Sequence, residues 1–397
     1  MIARSPHEPH RVATPLELFF DLVFVVAIAQ AAAGLHHAIG EAHALDGLVG
    51  YLMVFFAIWW AWMNFTWFAS AYDSDDTPYR VLVFVQITGA LIMAAGVPDM
   101  FEHQAPNVAT LAGYIVMRLA LVTQWLRAAA ADAERRTTAL RYAGGVAVAQ
   151  VAWVAAGVAA VWSGPVFLML VALELAVPAW AERAGATTWH PHHIAERYGL
   201  LVVIVLGESI LASTLAVQAA LKSGETVIAL APIISGALLI AFSMWWVYFD
   251  RPAHGLLTSL RKALTWGYGH YVIFAAVAAV GAGIAVSVDH VTGHGQVSAR
   301  AAGFAVAIPV ALYLVCLWAL HSRSDNPRTR ALGPVTAVLV MAAPLTSQPV
   351  LVVGLLLVAM LTVNLLGLPR RTSKRTRSAA RRPPRNPTGQ AGDWDRD

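Results

Sequence analysis

The acids of this sequence stand where acids are costly. The stretch ERYGLLVVIVLGESIL, residues 196–211, opens on Glu196 and Arg197, turns apolar, and meets a second carboxylate, Glu208, inside a hydrophobic run. A helix rises about 1.5 Å per residue, so Glu208 lies roughly 16 Å beyond Arg197, near the middle of a ~30 Å hydrocarbon core. There a carboxylate needs a counter-charge, water or a proton, or it costs on the order of several kcal/mol. By the same counting Arg118 and Glu174 sit about ten residues from their nearer flanks, at roughly the same ~15 Å depth. One arginine and two acids at one level can neutralise each other. Such a group is expected to bind a small solute or ion, with one carboxylate exchanging a proton or holding a cation. The alternative is a static buried ion pair that fixes helix packing.

Glu17 and Asp21 are four residues apart and share one helix face. Glu17 suits a helix N-terminus, where carboxylates are favoured by about 0.3–1 kcal/mol. Asp21, one turn deeper, is the better candidate for a cation path or for pairing with Arg197 or Arg118. The segment WHPHHIAER offers His190, His192, His193 and Glu196, whose donor atoms suit zinc or nickel. It has no HExxH and no cysteine partner, so the expectation is no metal and a plain cytoplasmic helix start. His270 and Gln86 read as packing or hydrogen-bonding residues. Trp59, Trp60, Trp62, Trp67, Trp245 and Trp246 fit interfacial belts, or a cavity lining where they face inward. Gly281 and Gly283 read as sites of close helix contact. There is no P-loop, dinucleotide fingerprint or serine elbow, so no cofactor, nucleic acid or enzymatic reaction is expected.

These residues must be held by an all-α bundle. Of 397 residues, 58% are hydrophobic and 13% charged, against about 25% charged in soluble domains. About twelve apolar segments are long enough, or nearly so, to span a bilayer. They are 16–38, 48–71, 81–100, 108–128, 143–161, 165–181, 198–220, 227–249, 263–286, 301–319, 332–346 and 349–368. The eleventh is short and broken by Pro334 and Pro344. Arginine and lysine fall in alternate loops, which puts both termini on the cytoplasmic side of the cell membrane. Dropping one span would reverse the basic tail, so the eleventh is kept.

Weak matches in order suggest an internal repeat. ELFFDLVFVVAIAQ (17–30) lies over ERYGLLVVIVLGES (196–209), IWWAWMNF (58–65) over MWWVYFDR (244–251), and RYAGGV (141–146) over RALGPV (330–335). Six spans per half is an even number, so the repeat is parallel, with a working site expected where the halves meet. The divisions are residues 1–14, a first half 15–183, a second half 184–368, and a tail 369–397. The tail is basic and has little to bury, so it reads as disordered and drawn to anionic lipid. The single Cys316 excludes a disulfide within the chain.

LELFFDLVFVVAIAQ and HIAERYGLLVVIVLGESILA together resemble the signature segments of the bacterial low temperature requirement protein A family, over about residues 10–370. The resemblance implies a multi-pass membrane protein named for a growth phenotype in the cold, with no biochemical activity assigned. It implies importance for Glu17, Phe20, Asp21, His193, Glu196, Arg197, Gly207 and Glu208, without catalytic roles. FFDLVFVVA is also similar, more loosely, to the Phe-Ser-Asp segment opening each repeat of six-plus-six-span potassium channels. Here Phe20 replaces the serine and the second half lacks the aspartate, which speaks against a symmetric pore.

The expectation is a secondary transporter of a small solute or ion, with Asp21, Arg118, Glu174 and Glu208 forming one polar path between the halves. A cation channel and a non-transporting scaffold or sensor for cold growth are the alternatives. The transported species and the oligomeric state are not written in the sequence.

Overall fold

A computed structural model of the chain describes residues 3–5, 8, 11–103, 107–159, 161–321 and 327–367. Twelve α-helices follow one another: α1 (Pro15–Gly40), α2 (Ala44–Tyr72), α3 (Thr77–His103), α4 (Val108–Ala131), α5 (Arg136–Val158), α6 (Gly164–Ala181), α7 (Pro191–Lys222), α8 (Val227–Phe249), α9 (Leu260–Val291), α10 (Ala299–His321), α11 (Pro327–Ala342) and α12 (Pro349–Gly367). No strand occurs among the described residues. Eleven of these helices are long and apolar enough to cross a bilayer, and the short segment around α11 is not. It ends where Pro344 enters a 3₁₀ turn, Ala343–Leu345, because proline cannot continue the hydrogen-bond ladder. The tail 369–397 with its expected pull toward anionic lipid, and the side chains of Arg323, Arg328 and Arg330, lie outside the described residues.

The local causes of the two key helix starts are visible in the sequence. Thr14 and Glu17 form a capping box: the Glu17 amide donates to the Thr14 hydroxyl at 3.3 Å, and the Thr14 amide donates to Glu17 Oε2 at 2.8 Å. That satisfies two otherwise orphaned donors. Pro191 takes the first turn of α7, and His190 caps it by accepting from the His193 amide. The helix therefore begins seven residues before the predicted segment at 198, and Glu196 and Arg197 are helical.

Helix α9 is the most enclosed of the bundle and packs on α1, α2, α7, α8 and α10. Its glycines allow this. A Cβ on Gly281 would lie 2.8 Å from Ser209 Cα, and one on Gly283 would lie 2.2 Å from the Ala305 carbonyl oxygen. Packing partners recur at a shift of six helices: α1 on α3 as α7 on α9, α3 on α4 as α9 on α10, α4 on α5 as α10 on α11. The buried faces recur as well. Thr110, Gly113, Tyr114, Met117 and Arg118 of α4 step onto Gly303, Val306, Ala307, Val310 and Ala311 of α10. Tyr142, Ala143 and Val146 of α5 step onto Thr336, Ala337 and Val340 of α11. This register differs from the sequence match of RYAGGV with RALGPV, which would set Tyr142 over Ala331.

Candidate functional site

The buried charges among the described residues fall into separate groups that do not share one place. The first sits where α1 meets α7. These helices start at the same end of the molecule, so equivalent turns lie side by side. Arg197 of α7 donates from Nε to Asp21 Oδ2 at 3.0 Å and from Nη2 to Asp21 Oδ1 at 2.5 Å. Its Nη1 lies 2.8 Å from Glu17 Oε1. One turn earlier, His193 Nε2 sits 3.0 Å from the same oxygen. The Trp62 indole of α2 donates to Asp21 Oδ1 at 2.6 Å. Glu17, Asp21, His193 and Arg197 are all 0% exposed. A fork of guanidinium donors suits two acids one turn apart, since it is planar and can engage both. With the imidazole neutral, this group carries two negative charges and one positive. The Phe65 ring lies 5.9 Å from the Arg197 guanidinium carbon, and Phe20 packs on that ring at 4.0 Å.

The second group lies inside the first six helices. Arg118 of α4 donates from Nη2 to Glu174 of α6. Trp60 Nε1 and the Tyr114 hydroxyl donate to the same carboxylate at 2.9 and 3.0 Å. The expected pairing of Arg118 with Glu174 is therefore present. Its expected third member is not: among the described residues, Glu208 makes no ion pair. Glu208 lies on α7 with only 8% of its surface exposed, and its Oε2 has no hydrogen-bond partner. It shares a helix face with Leu201 and Val205. Between it and the first group is a void of about 10 Å³ lined by Phe24, Ile28, Phe55, Trp59, Trp62 and Leu201, among others, room for about one water at most. Depth counting put Arg118, Glu174 and Glu208 at one level, but level does not fix which helices are neighbours. The single path through Asp21, Arg118, Glu174 and Glu208 is corrected to a seam group, Glu17–Asp21–His193–Arg197, with Glu208 further along the seam and Arg118–Glu174 set apart.

The other motif residues take modest places. Glu196 is half-buried beside the Ala13 backbone. Gly207 faces outward, with nothing within 4 Å of an added Cβ. His192 stacks on His254 at 3.7 Å. His270 bonds the Tyr248 hydroxyl and the Trp266 carbonyl, and Gln86 donates to Gln124. Trp60 and Trp62 are fully buried, not interfacial, and their N–H groups serve the acids. Trp245 and Trp246 are exposed.

A strap closes the end where α1 and α7 begin. Arg11 donates to the Ser70 carbonyl and, at 2.7 Å, to the Ala69 carbonyl, capping α2. The His190 amide donates to the Ser70 hydroxyl at 2.9 Å. Asp73 lies 4.0 Å from Arg11 and 3.8 Å from Arg4, yet neither of its oxygens is hydrogen-bonded. Burial, together with the nearby Glu17 charge, pushes its carboxyl up to about 6. Burial also holds His190 below its ordinary range.

Residues 12–366 match the family described as bacterial low temperature requirement A protein (LtrA). The chain belongs to the LtrA family. It is similar to an uncharacterized protein of Rhizobium meliloti (strain 1021), 29% identical over 248 residues, which are 59% of this chain and 57% of that protein. The match thus spans a little over half the length of that relative. Of the residues that the sequence resemblance points to, Glu17, Phe20, Asp21, His193 and Arg197 are brought into one place by the fold, whereas Gly207 and Glu208 lie deeper along α7.

Proposed function

We propose that this LtrA protein is a secondary transporter of a small solute or ion in the cell membrane, working at the seam between two parallel six-helix halves with both termini in the cytoplasm. The observation that carries the reading is the acid excess of that seam. Glu17 and Asp21 share one guanidinium, and Glu208, about 16 Å further along α7, has no cation partner among the described residues. A carboxylate so placed takes a proton or a metal cation as its partner. A second acid within reach along the same seam gives that partner somewhere to go. The recurrence of packing partners and buried faces supports two alike halves, whose rocking would open the aromatic-lined void. Arg118–Glu174 is satisfied by an indole and a phenol as well as by its ion pair, so it is read as a structural tie. No chemical conversion is assigned.

Flux into proteoliposomes tests this. Uptake of a monovalent cation or a weak-acid solute should depend on a pH gradient and saturate, and Glu208→Gln should abolish it while the protein elutes and melts normally. Single-channel currents that persist in Glu208→Gln would replace the transporter with a channel. Normal folding and normal cold growth in Glu208→Leu would leave only a scaffold.

A further inference from the structure

At the end of the bundle where α1 begins, the second six helices hold a pocket of about 110 Å³ between α8, α10, α11 and α12. Its wall combines Leu314, Trp318 and Gly333 with the polar groups of Asp250, Arg251, His321 and Asn364, and Arg251 Nε lies 3.8 Å from Asp250 Oδ2. The same place in the first six helices is occupied by side chains. There Trp125 of α4 stacks on Tyr142 of α5, with ring centroids 4.1 Å apart and planes within 4°. The Tyr142 hydroxyl donates to Glu182 Oε1 at 2.9 Å. The recurring buried faces explain the difference. Trp125 steps onto Trp318, so the α10 wall keeps its indole. Tyr142 steps onto Thr336, so α11 lacks the ring and its hydroxyl. A tyrosine in a helix leans toward the preceding turn, which in α11 is the turn of Leu332 and Gly333, both pocket-lining.

We infer that this pocket binds a single-ring phenol, a free molecule doing for the second six helices what the Tyr142 side chain does for the first. At about 110 Å³ the pocket is smaller than the enclosed cavity of about 150 Å³ that takes up benzene, so it holds one ring at most, with part of the phenol at the mouth beside Asp250 and Asn364. The polar groups fit one hydroxyl. Asp250 and Asn364 offer acceptors for its proton. His321 accepts from Trp266 Nε1 at Nε2, 3.0 Å away, so in the neutral ring Nδ1 carries hydrogen and can donate to the phenolic oxygen. This site is independent of the seam and of any transport through it.

The test uses the full chain in lipid nanodiscs and p-cresol as probe, by equilibrium dialysis with empty nanodiscs subtracted. One saturable equivalent is expected, with toluene competing at least tenfold more weakly. Thr336→Tyr should weaken p-cresol at least tenfold by restoring the ring. Tyr142→Ala, which opens the matching place in the first six helices, should raise the count to two. Asp250→Ala with Asn364→Leu changes only partly or fully exposed groups, and it should remove the preference over toluene even if Thr336→Tyr fails to fold. No saturable binding, as when lipid already fills the pocket, overturns the inference. So does unchanged affinity in folded Thr336→Tyr, or toluene binding as tightly as p-cresol.

Discussion

Replacing Arg197 by methionine removes the positive charge at the α1–α7 seam and keeps much of the side chain's bulk. In the native protein its nitrogens lie 3.0 and 2.5 Å from Asp21 and 2.8 Å from Glu17. Breaking a buried pair by deleting one partner costs about 3–5 kcal/mol, because the other charge is left without compensation. Here two acids are left, but neither is bare: Asp21 keeps the Trp62 indole, and Glu17 keeps His193 and the Thr14 amide. The lower half of that range, ~3–4 kcal/mol, is therefore expected for Arg197→Met. Asp21→Asn alone should cost less, about 1–3 kcal/mol, since the amide oxygen can still accept from Trp62. In the double variant no acid is stranded at position 21. Its loss should fall short of the sum of the single losses by about 2–3 kcal/mol, the range of directly coupled residues. Unfolding of the purified protein in mixed micelles with rising dodecyl sulfate, followed by tryptophan fluorescence, gives the four stabilities of the cycle. Additivity within about 0.5 kcal/mol would refute the coupling, and with it the claim that these charges join α1 to α7.

Asp73 sets a pH dependence with a definite sign. Its carboxyl binds a proton more tightly in the folded state, at about 6, than in the unfolded chain, at about 3.9. The linked stability is complete below about pH 4 and is lost as pH rises through about 6. Asp73→Asn should flatten that window and raise thermal stability at neutral pH, by no more than about 3 kcal/mol, as read from melting curves between pH 4 and 8. Gly283→Ala sets a methyl against the Ala305 carbonyl, 2.2 Å away, and should cost about 1–3 kcal/mol by overpacking, whereas Gly207→Ala should leave the melting temperature unchanged. Glu174→Gln should strand Arg118 and cost about 3–5 kcal/mol, and adding Arg118→Leu should recover much of that loss in the same unfolding assay.

The greasy periodicity of the chain carried the helices and their order, because a bilayer demands runs of about 20 apolar residues. It failed where charge was read as the end of a span. Glu196 and Arg197 looked like a flank, so α7 was predicted to start at 198. They belong to the helix because Arg197 finds Glu17 and Asp21 some 176 positions away in the chain, and no local rule reveals such a partner. Arg118 and Glu174 were legible from depth alone. Glu208 was placed with them on the same ground and does not join them. The signal that could have separated them is spacing. Residues 201, 205 and 208 share a face of α7 that points at α1 and α2, away from α4 and α6. Trp60 and Trp62 read either as interfacial anchors or as a cavity lining. The sequence clue to their role is that a buried indole must give its N–H to something, and Asp21 of α1 and Glu174 of α6 are what they meet.

Helix α1 is fastened to the second six helices at both of its ends. Arg197 and His193 hold one end, and at the other His36 pairs with Asp289 at 2.7 Å while the Gln296 amide donates to the Gly40 carbonyl at 3.0 Å. At the Arg197 end, acid is on one side of the join and base on the other. Two copies of the first six helices would bring acid to acid, and two copies of the second would bring base to base. Fragments expressed separately, cut in the loop between α6 and α7, should therefore recognise each other and refuse themselves.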